Sequence, residues 1–410
     1  MTSQATCRAC GGGGLTLVLS LGLSPLANAL LTKEELARPE EKFPLDLAFC
    51  SRCSLVQITE TVPPEKMFRE YLYFSSFSDT MVEHARAIAD RLADERKLGR
   101  DNLALEIASN DGYLLQHYAK RGVPVLGIEP ARNIAKVAVE ERGIRTIAEF
   151  FGKELAATLA ERGERADVIH ANNVLAHVPD LNGVVEGLAI ALKDDGVAVI
   201  EAPYAKDLVD HCEFDTIYHE HLCYFSLTAL DNLVDRHDLV VRDVERLAIH
   251  GGSLRIFVSK KSAASRGRAV EELLAEEAAG GVATLAPYLE LAKRVEALKA
   301  ELVRVLRGLK ADGKRIAAYG AAAKGSTLLN SFGIGKDVLD FVADRSTYKQ
   351  GRYMPGIHVP IVDPRELVAR KPDACLLLTW NFADEILAQQ REYRENGGKF
   401  IIPIPEVRTL

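Results

Sequence analysis

The segment from Glu213 to Ser226 holds the densest group of polar and aromatic side chains in the sequence, with Tyr218-His219-Glu220-His221 at its centre. A histidine beside an acid that orients it is the usual form of a general base near neutral pH. On an extended strand, His219 and His221 would share one face of the backbone. The residue types leave three roles open, a general base, a hydrogen-bonded core network and a metal site, and they favour the base.

A second polar group follows a predicted buried strand, Leu103 to Ala108. A strand, a loop of small residues and a helix N-terminus let a ligand approach the backbone closely. At the end of the next predicted strand, Glu129 is placed to bind two ribose hydroxyls. The loop lacks the GxGxxG pattern of a pyrophosphate site, so a sulfonium cofactor, S-adenosylmethionine, fits better than a dinucleotide. The alternative is an ordinary βα turn of an α/β domain without a ligand. The predicted cofactor residues here are Glu106, Ser109, Asn110, Asp111 and Glu129.

The predicted strand Ala166 to Ala171 runs into a polar edge that contains Asn172, Asn173 and His177. In an open α/β sheet, residues after the carboxyl ends of the strands line the ligand crevice. We therefore expect both asparagines to contact the cofactor. His177 has two open interpretations, a structural histidine or a residue of the site.

Two CxxC pairs, Cys7 with Cys10 and Cys50 with Cys53, supply four thiolates. Four thiolates around a tetrahedral Zn²⁺ leave no open position, so the predicted site is structural. The alternative is free or redox-active thiols. A redox CxxC would normally accompany a thioredoxin-like βαβ pattern, which is absent near these cysteines.

Composition restricts the class of protein. The chain has 410 residues, is 48% hydrophobic and carries a net charge of −7, which excludes a disordered chain and gives no basic footprint for nucleic acid. No stretch reaches the roughly 18 apolar residues of a membrane helix. The apolar run from Leu15 to Leu31 imitates a signal peptide, but cleavage there would separate the two CxxC pairs. We expect a cytoplasmic protein.

Strand and helix signals alternate through the middle of the chain and again near its C-terminus, which predicts an α/β fold with two doubly wound, Rossmann-like units. Between them, residues 265–311 have a helical period. The predicted strands, beyond those above, are Pro124 to Ile128, Val197 to Glu201, Arg315 to Tyr319, Val338 to Val342, Ala374 to Thr379 and Lys399 to Ile402; the predicted helices are Gly112 to Arg121, Asn133 to Arg142 and one opening at Ser326 to Ser331.

The second unit contains a loop of small residues, Gly320 to Gly325, before a helix N-terminus. Such a loop permits close contact between backbone and phosphate, and Lys324 adds charge, with Ser326 next to it. It is not a P-loop, because the lysine precedes Gly325. Lys349 and Arg352 lie in a later loop that could close on a nucleotide or could simply face solvent.

The order of motifs resembles one known family. CxxC…CxxC, YLYFSS, EIASNDG, YHEHLCYFS, HGGSLR and AYGAAAKG follow one another as in the sugar C-methyltransferases of antibiotic pathways, which methylate carbon 3′ of dTDP-linked 4-keto-hexoses. The resemblance implies a zinc-binding domain over residues 1–70, a methyltransferase domain over 71–260 and a helical linker with a nucleotide-binding Rossmann-like domain over 261–410. One departure is Ala108, where many methyltransferase loops carry glycine.

The resemblance also assigns roles. It implies that His221 removes the proton from the carbon to be methylated, that Tyr218, Glu220 and His177 surround the sugar, and that Tyr71 or Tyr73 reaches the site. The expected partner is a dTDP-linked keto-sugar, bound by a monomer or weak dimer. Three other functions are weighed against this one: an O- or N-methyltransferase, a non-catalytic zinc-dependent binding protein, and an NAD-dependent sugar oxidoreductase, which the missing GxGxxG opposes.

Overall fold

The computed structural model describes residues 5–68 and 74–410. We divide them into an N-terminal region (5–68), a central region (74–260) and a C-terminal region (261–410). The largest buried apolar cluster contains residues of all three regions, from Cys7 to Ile404, so they share one core. Among the described residues, no helix combines the length and the apolar character needed to span a bilayer.

The N-terminal region is built on an antiparallel sheet. Its strands are β1 (Thr16–Ser24), β2 (Phe43–Phe49) and β3 (Val56–Ile58), and helix α1 (Pro64–Phe68) follows them. The fourth strand of this sheet, Cys223–Tyr224, comes from the central region and pairs with β3. Because this strand directly follows Tyr218–His221 in sequence, the pairing anchors that segment to the N-terminal region.

The central region contains a seven-stranded sheet in which six strands run in the same direction and one, Ser253–Lys260, is antiparallel to both of its neighbours. The strand order is β10-β11-β8-β7-β4-β5-β6. Strand β9, which lies between β8 and β10 in the sequence, belongs to the N-terminal sheet described above. The strands are β4 (Ala104–Ile107), β5 (Val125–Ile128), β6 (Thr146–Ile147), β7 (Ala166–Asn172), β8 (Leu192–Pro203), β9 (Cys223–Tyr224), β10 (Leu239–Leu247) and β11 (Ser253–Lys260). The helices are α2 (Asp79–Glu95), α3 (Leu115–Lys120), α4 (Arg132–Arg142), α5 (Lys153–Glu161), α6 (Leu181–Ala191), α7 (Ala205–Asp210) and α8 (Leu227–Asp235).

The C-terminal region begins with two long helices and ends in a six-stranded sheet of order β14-β13-β12-β15-β16-β17, parallel except for β17. Its helices are α9 (Arg268–Gly280), α10 (Ala286–Ala311), α11 (Ala323–Phe332), α12 (Glu366–Arg370), α13 (Ala383–Gln389) and α14 (Arg391–Glu395). Its strands are β12 (Ile316–Tyr319), β13 (Val342–Ala343), β14 (Ile361–Val362), β15 (Ala374–Leu377), β16 (Lys399–Ile402) and β17 (Arg408–Thr409). The predicted fold class, with a Rossmann-like unit in each half, is confirmed.

Two local predictions are corrected. The helical stretch 265–311 is two helices, because Gly281 takes a left-handed conformation (φ 70°) that ends α9. The predicted strand Val338 to Val342 is mostly a turn, in which the Val338 amide donates to the Gly335 carbonyl. Only its last residue joins β13.

Candidate active site

A cavity of about 510 Å³ lies where the three regions meet. Its wall includes the ends of β4, β5 and β7, as expected for the carboxyl edge of a parallel sheet. The N-terminal and C-terminal regions complete the wall from other sides. Among the lining residues are Asn28, Glu129, Asn172, His177, His221 and Lys324.

Tyr218 to His221 forms a tight turn rather than an extended strand. The backbone N–H of His221 donates to the Tyr218 carbonyl across 2.8 Å. The turn sends the two histidines in different directions. The His219 ring is buried, 3.1 Å from the Pro44 carbonyl and edge-on to Phe43, whereas His221 lines the cavity. The two histidines therefore do not share a face as they would on an extended strand, and the turn separates a core histidine from a cavity histidine.

The hydrogen bonds of His221 determine which ring nitrogen carries the proton. Nδ1 lies 2.9 Å from the Thr216 carbonyl oxygen, which can only accept, so Nδ1 is the protonated nitrogen. Nε2 then holds the lone pair and lies 2.9 Å from the hydroxyl of Tyr218, which donates to it. A neutral histidine held in this tautomer can accept a proton at Nε2.

His177 packs edge-on against His221, with 4.9 Å between the ring centroids. Its Nδ1 donates to the Glu220 carbonyl across 2.6 Å. Burial lowers the pKa of His177, so the ring stays neutral near physiological pH. The structure thus brings His177, Tyr218, Glu220 and His221 together at one part of the cavity wall.

The carboxyl group of Glu220 has a partner from the N-terminal region. Asn28 Nδ2 donates to Glu220 Oε1 across 2.7 Å, and both residues line the cavity. Burial raises the pKa of Glu220, and the Asn28 hydrogen bond opposes that rise. Sequence reasoning missed Asn28, whose signal was a single amide side chain inside an apolar run.

The cofactor loop reaches the cavity in part. Asn110 and Glu129 line it, and the buried Glu129 carboxylate accepts from the backbone N–H groups of Asn110 (2.9 Å) and Ala131 (2.8 Å). Burial raises the pKa of Glu129. Ala108 and Asn110 have positive φ angles, 52° and 48°, which is the conformation that favours glycine and explains why glycine is common at the position of Ala108.

The other predicted residues of this loop lie behind the cavity wall. Glu106 is buried in β4, and burial raises its pKa well above the usual range. Ser109 is fully buried and packs against Gly127 of β5. A Cβ atom at position 127 would lie 2.5 Å from the Ser109 Oγ, so the glycine leaves room for this side chain. Asp111 forms an ion pair with Arg142 at 3.0 Å. Glu106 Oε2 and Ser109 Oγ have no hydrogen-bond partner among the described atoms.

Asn172 and Asn173 line the cavity at the end of β7. Asn172 Oδ1 is buried and has no hydrogen-bond partner among the described atoms, so it can accept from a bound molecule. Asn172 Oδ1 and the carboxylate of Glu129, at the end of β5, are both hydrogen-bond acceptors. They fit a cofactor that brings hydroxyl and amino donors. The loop offers no phosphate cradle, which agrees with a cofactor without phosphate.

On the opposite side, Lys324 lines the cavity from the start of α11. Its Nζ lies 4.5 Å from the centre of the Trp380 ring and 3.3 Å from Asn381 Oδ1. Two buried acids of the central region lie near it. Burial raises the pKa of Glu213 to about 8 and that of Asp215 to about 6, and the charge of Lys324 opposes both shifts.

Three other residues that were predicted to bind the nucleotide together with Lys324 are not on the cavity wall. Ser326 is fully buried inside α11. The Nζ of Lys349 donates to the Ala321 carbonyl across 2.8 Å, and Arg352 contacts the carbonyls of Tyr348 and Leu30. These contacts hold Lys349 and Arg352 off the cavity wall, which favours the alternative that they are loop residues outside a nucleotide site. Tyr71 and Tyr73 lie outside the described residues.

The four N-terminal cysteines form a separate cluster. Their sulfur atoms all lie within 4.8 Å of one another, with Cys7 and Cys53 at 3.4 Å and Cys10 and Cys50 at 3.6 Å. Tetrahedral zinc with bonds of about 2.3 Å would separate its sulfur ligands by about 3.8 Å. The donor set therefore fits one zinc ion with no open coordination position.

Three family models match the chain in succession: a zinc binding domain over residues 7–68, a methyltransferase domain over 81–244 and a C-methyltransferase C-terminal domain over 248–405. The C-methyltransferase NovU of Streptomyces niveus is 39% identical over 405 residues, which cover 98% of this chain and 96% of that protein. This chain belongs to the C-methyltransferase family. It is a methyltransferase, and its four-cysteine cluster is a zinc site.

Solved structures resemble this C-methyltransferase over a smaller part. An S-adenosylmethionine-dependent methyltransferase from Clostridium acetobutylicum ATCC 824 is 11% identical with a TM-score of 0.36, covering 44% of this chain and 92% of that one. Magnesium protoporphyrin IX methyltransferase from Synechocystis PCC 6803, with bound S-adenosylmethionine, is 13% identical with a TM-score of 0.34, covering 46% and 85%.

Replacing Cys50 with alanine tests the zinc site. Three remaining thiolates leave the ion open to water and to chelators, so we expect zinc to fall from about one ion per chain to under about a tenth after dialysis against EDTA. Elemental analysis and thermal unfolding measure the change. Cys375→Ala, a buried thiol of β15 outside the cluster, is the matched control and should keep its zinc. Equal zinc content in both variants would contradict the assignment.

Proposed function

We propose that this C-methyltransferase transfers a methyl group from S-adenosylmethionine to carbon 3′ of a dTDP-linked keto-deoxysugar, with His221 as the base. The observation that carries this proposal is the tautomer of His221, whose basic Nε2 is held on the wall of a cavity that also exposes Glu129 and Lys324. A base is needed because a carbon atom becomes a nucleophile only after it loses a proton.

The chemistry we propose starts with a proton on the carbon next to the ketone. His221 Nε2 takes that proton, the electron pair of the C–H bond forms a C=C bond, and the carbonyl π electrons move to oxygen. Tyr218, whose hydroxyl lies 2.9 Å from Nε2, donates to this oxygen in the same step. The new positive charge on the ring is stabilised by the Nδ1–H bond to the Thr216 carbonyl.

The methyl donor would be held by residues at the ends of β4, β5 and β7. When bound, S-adenosylmethionine supplies an electrophilic methyl group on a positively charged sulfur. We assign its ribose hydroxyls to Glu129 and its remaining donors to Asn110, Asn172 and Asn173. Glu106, Ser109 and Asp111 lie behind this part of the wall, where Asp111 is paired with Arg142. Fixed positioning is the enzyme's main further contribution.

The sugar and nucleotide lie between these groups. Glu220 and His177 bind sugar oxygens, and the YLYFSS segment supplies Tyr71 or Tyr73. Lys324 binds the diphosphate from the start of α11, where backbone N–H groups also favour an anion. Lys349 and Arg352 take part only if their loop moves, and the buried Ser326 supports α11 instead.

The proposed substrate is tested with nucleotide-linked sugars and a ¹³C-labelled methyl donor. We expect turnover with dTDP-linked 4-keto-hexoses, and we expect the labelled methyl on a carbon next to the former ketone in the NMR spectrum of the product. The free sugar, which lacks the diphosphate for Lys324, should react at least about tenfold more slowly. A methyl group on oxygen or nitrogen would refute the C-methylation of this substrate.

Replacing His221 with asparagine tests the base. Wild-type enzyme in D₂O should exchange the sugar proton for deuterium without any methyl donor, and His221→Asn should lose both exchange and methyl transfer by at least about 100-fold. Calorimetry should find its affinity for S-adenosylmethionine unchanged. His219→Asn is the control from the same turn, because His219 faces the Pro44 carbonyl and not the cavity. Near-normal turnover in His221→Asn would eliminate it as the base.

Replacing Asn28 with leucine, which is similar in size, tests the ionisation of Glu220. Without this donor the buried carboxylate is less stable, so the pKa of Glu220 rises further. As the pH is lowered, the carboxylate is then protonated at a higher pH than in the wild type. We expect the acidic limb of the kcat/KM profile to move to higher pH, with kcat/KM at pH 7 lower by about tenfold. Asn28→Gln keeps an amide donor and should lose less. An unmoved acidic limb in Asn28→Leu would show that this hydrogen bond does not tune the site.

A further inference from the structure

The segment Phe214 to Ile217 joins the catalytic turn to the C-terminal region. On one side, the Thr216 carbonyl accepts the Nδ1–H of His221 across 2.9 Å. Phe214, Asp215 and Ile217 are fully buried, so the residues on either side of Thr216 are fixed by packing. The position of this carbonyl decides which nitrogen of His221 is the base.

The C-terminal region holds this segment at three points. Trp380 Nε1 donates to Asp215 Oδ2 across 2.8 Å. The Thr327 hydroxyl, on the buried face of α11, donates to the Ile217 carbonyl across 3.1 Å. Phe214 stacks on a phenylalanine of α11, Phe332, with 4.9 Å between the ring centroids and 12° between the planes.

The two hydrogen bonds flank Thr216 directly, one on the residue before it and one on the residue after it. A peptide group held at both neighbours has little freedom to rotate, so the Thr216 carbonyl stays directed at the imidazole. Asp215 Oδ1 has no partner among the described atoms, which leaves the Trp380 bond to Oδ2 as the described side-chain contact that orients this carboxyl group.

We propose that Thr327 and Trp380 are positioning residues for methyl transfer, which act by holding the Thr216 carbonyl that sets the tautomer of His221. Neither residue touches the cavity. This inference rests on the proposed function, in which His221 Nε2 is the base. It gives the C-terminal region a second role besides nucleotide binding, because the region that binds the diphosphate also sets the geometry of the base.

Trp380 links the two roles. Its indole ring contacts Lys324 on one face and donates to Asp215 from its edge. The phosphate-binding cation and the support of the base therefore share one side chain. For this reason Thr327, whose hydroxyl donates to the Ile217 carbonyl, is the cleaner residue to test.

The primary variant is Thr327→Val, which keeps the shape of the side chain and removes its hydroxyl donor. We expect kcat to fall between about 10- and 100-fold, with KM for the sugar and affinity for S-adenosylmethionine within about twofold of wild type. Thr327→Ser restores the donor and should restore kcat. The matched control is Ser331→Ala in the same helix. The Ser331 hydroxyl donates to the carbonyls of Thr327 and Leu328 within α11, so its loss should leave kcat unchanged.

A direct measurement of the His221 tautomer distinguishes a positioning role from a general loss of protein stability. ¹⁵N NMR of His221 should show one Nδ1-protonated tautomer in wild type and a mixture in Thr327→Val. Trp380→Phe, which keeps an aromatic ring without the N–H donor, should give the same mixture. A loss of kcat that Thr327→Ser does not restore, or an unchanged tautomer in both variants, would overturn the proposal.

Deuterium exchange of the sugar proton distinguishes this failure from failure of the proposed function. If His221→Asn keeps exchanging the proton, His221 is not the base and the proposed function fails. If His221→Asn stops exchange while Thr327→Val and Trp380→Phe exchange at the wild-type rate, only the positioning role is wrong. We expect exchange in the latter two to slow in parallel with kcat.

Discussion

The hydrogen bond from His221 Nδ1 to the Thr216 carbonyl is the constraint on which the arrangement of the site depends. A carbonyl oxygen has no proton to give, so the bond has one direction and leaves Nε2 as the acceptor. The Tyr218 hydroxyl and the cavity then face a base rather than a donor. Everything that fixes this carbonyl, including the buried packing of its neighbours, contributes to the chemistry without touching the substrate.

The site also contains three buried acids, and each accepts hydrogen bonds from a particular set of donors. Glu129 accepts two backbone N–H groups, Glu220 accepts the amide of Asn28, and Asp215 accepts the indole of Trp380. Burying a carboxylate is unfavourable unless such donors compensate for the lost water. Two of these donors are side chains that come from the N-terminal and C-terminal regions. The ionisation of the site therefore depends on how those regions pack on the central one.

This dependence gives the zinc site a role at a distance. The N-terminal sheet takes β9 as its fourth strand and carries the loop that bears Asn28. Zinc bound by the four cysteines would join the segment of Cys7 and Cys10 to that of Cys50 and Cys53, so metal binding contributes to the folding of this region. A metal ion that takes no part in the reaction can thus still set the position of a cavity residue.

The sequence by itself determined the parallel sheets, the four-thiolate site and the loop after β4, because each depends on local periodicity or on short spacing. Spacing could not choose between His219 and His221, because the same spacing puts them on one face of a strand and on different sides of a turn. The family resemblance implied His221, and the tertiary structure shows that His221 lines the cavity while His219 does not. Asn28 and Glu220 are 192 residues apart, and the fold alone makes them partners. Trp380 and Thr327 gave no sequence signal, because a side chain that orients another group is defined by what it contacts, and those contacts form only when the regions pack together.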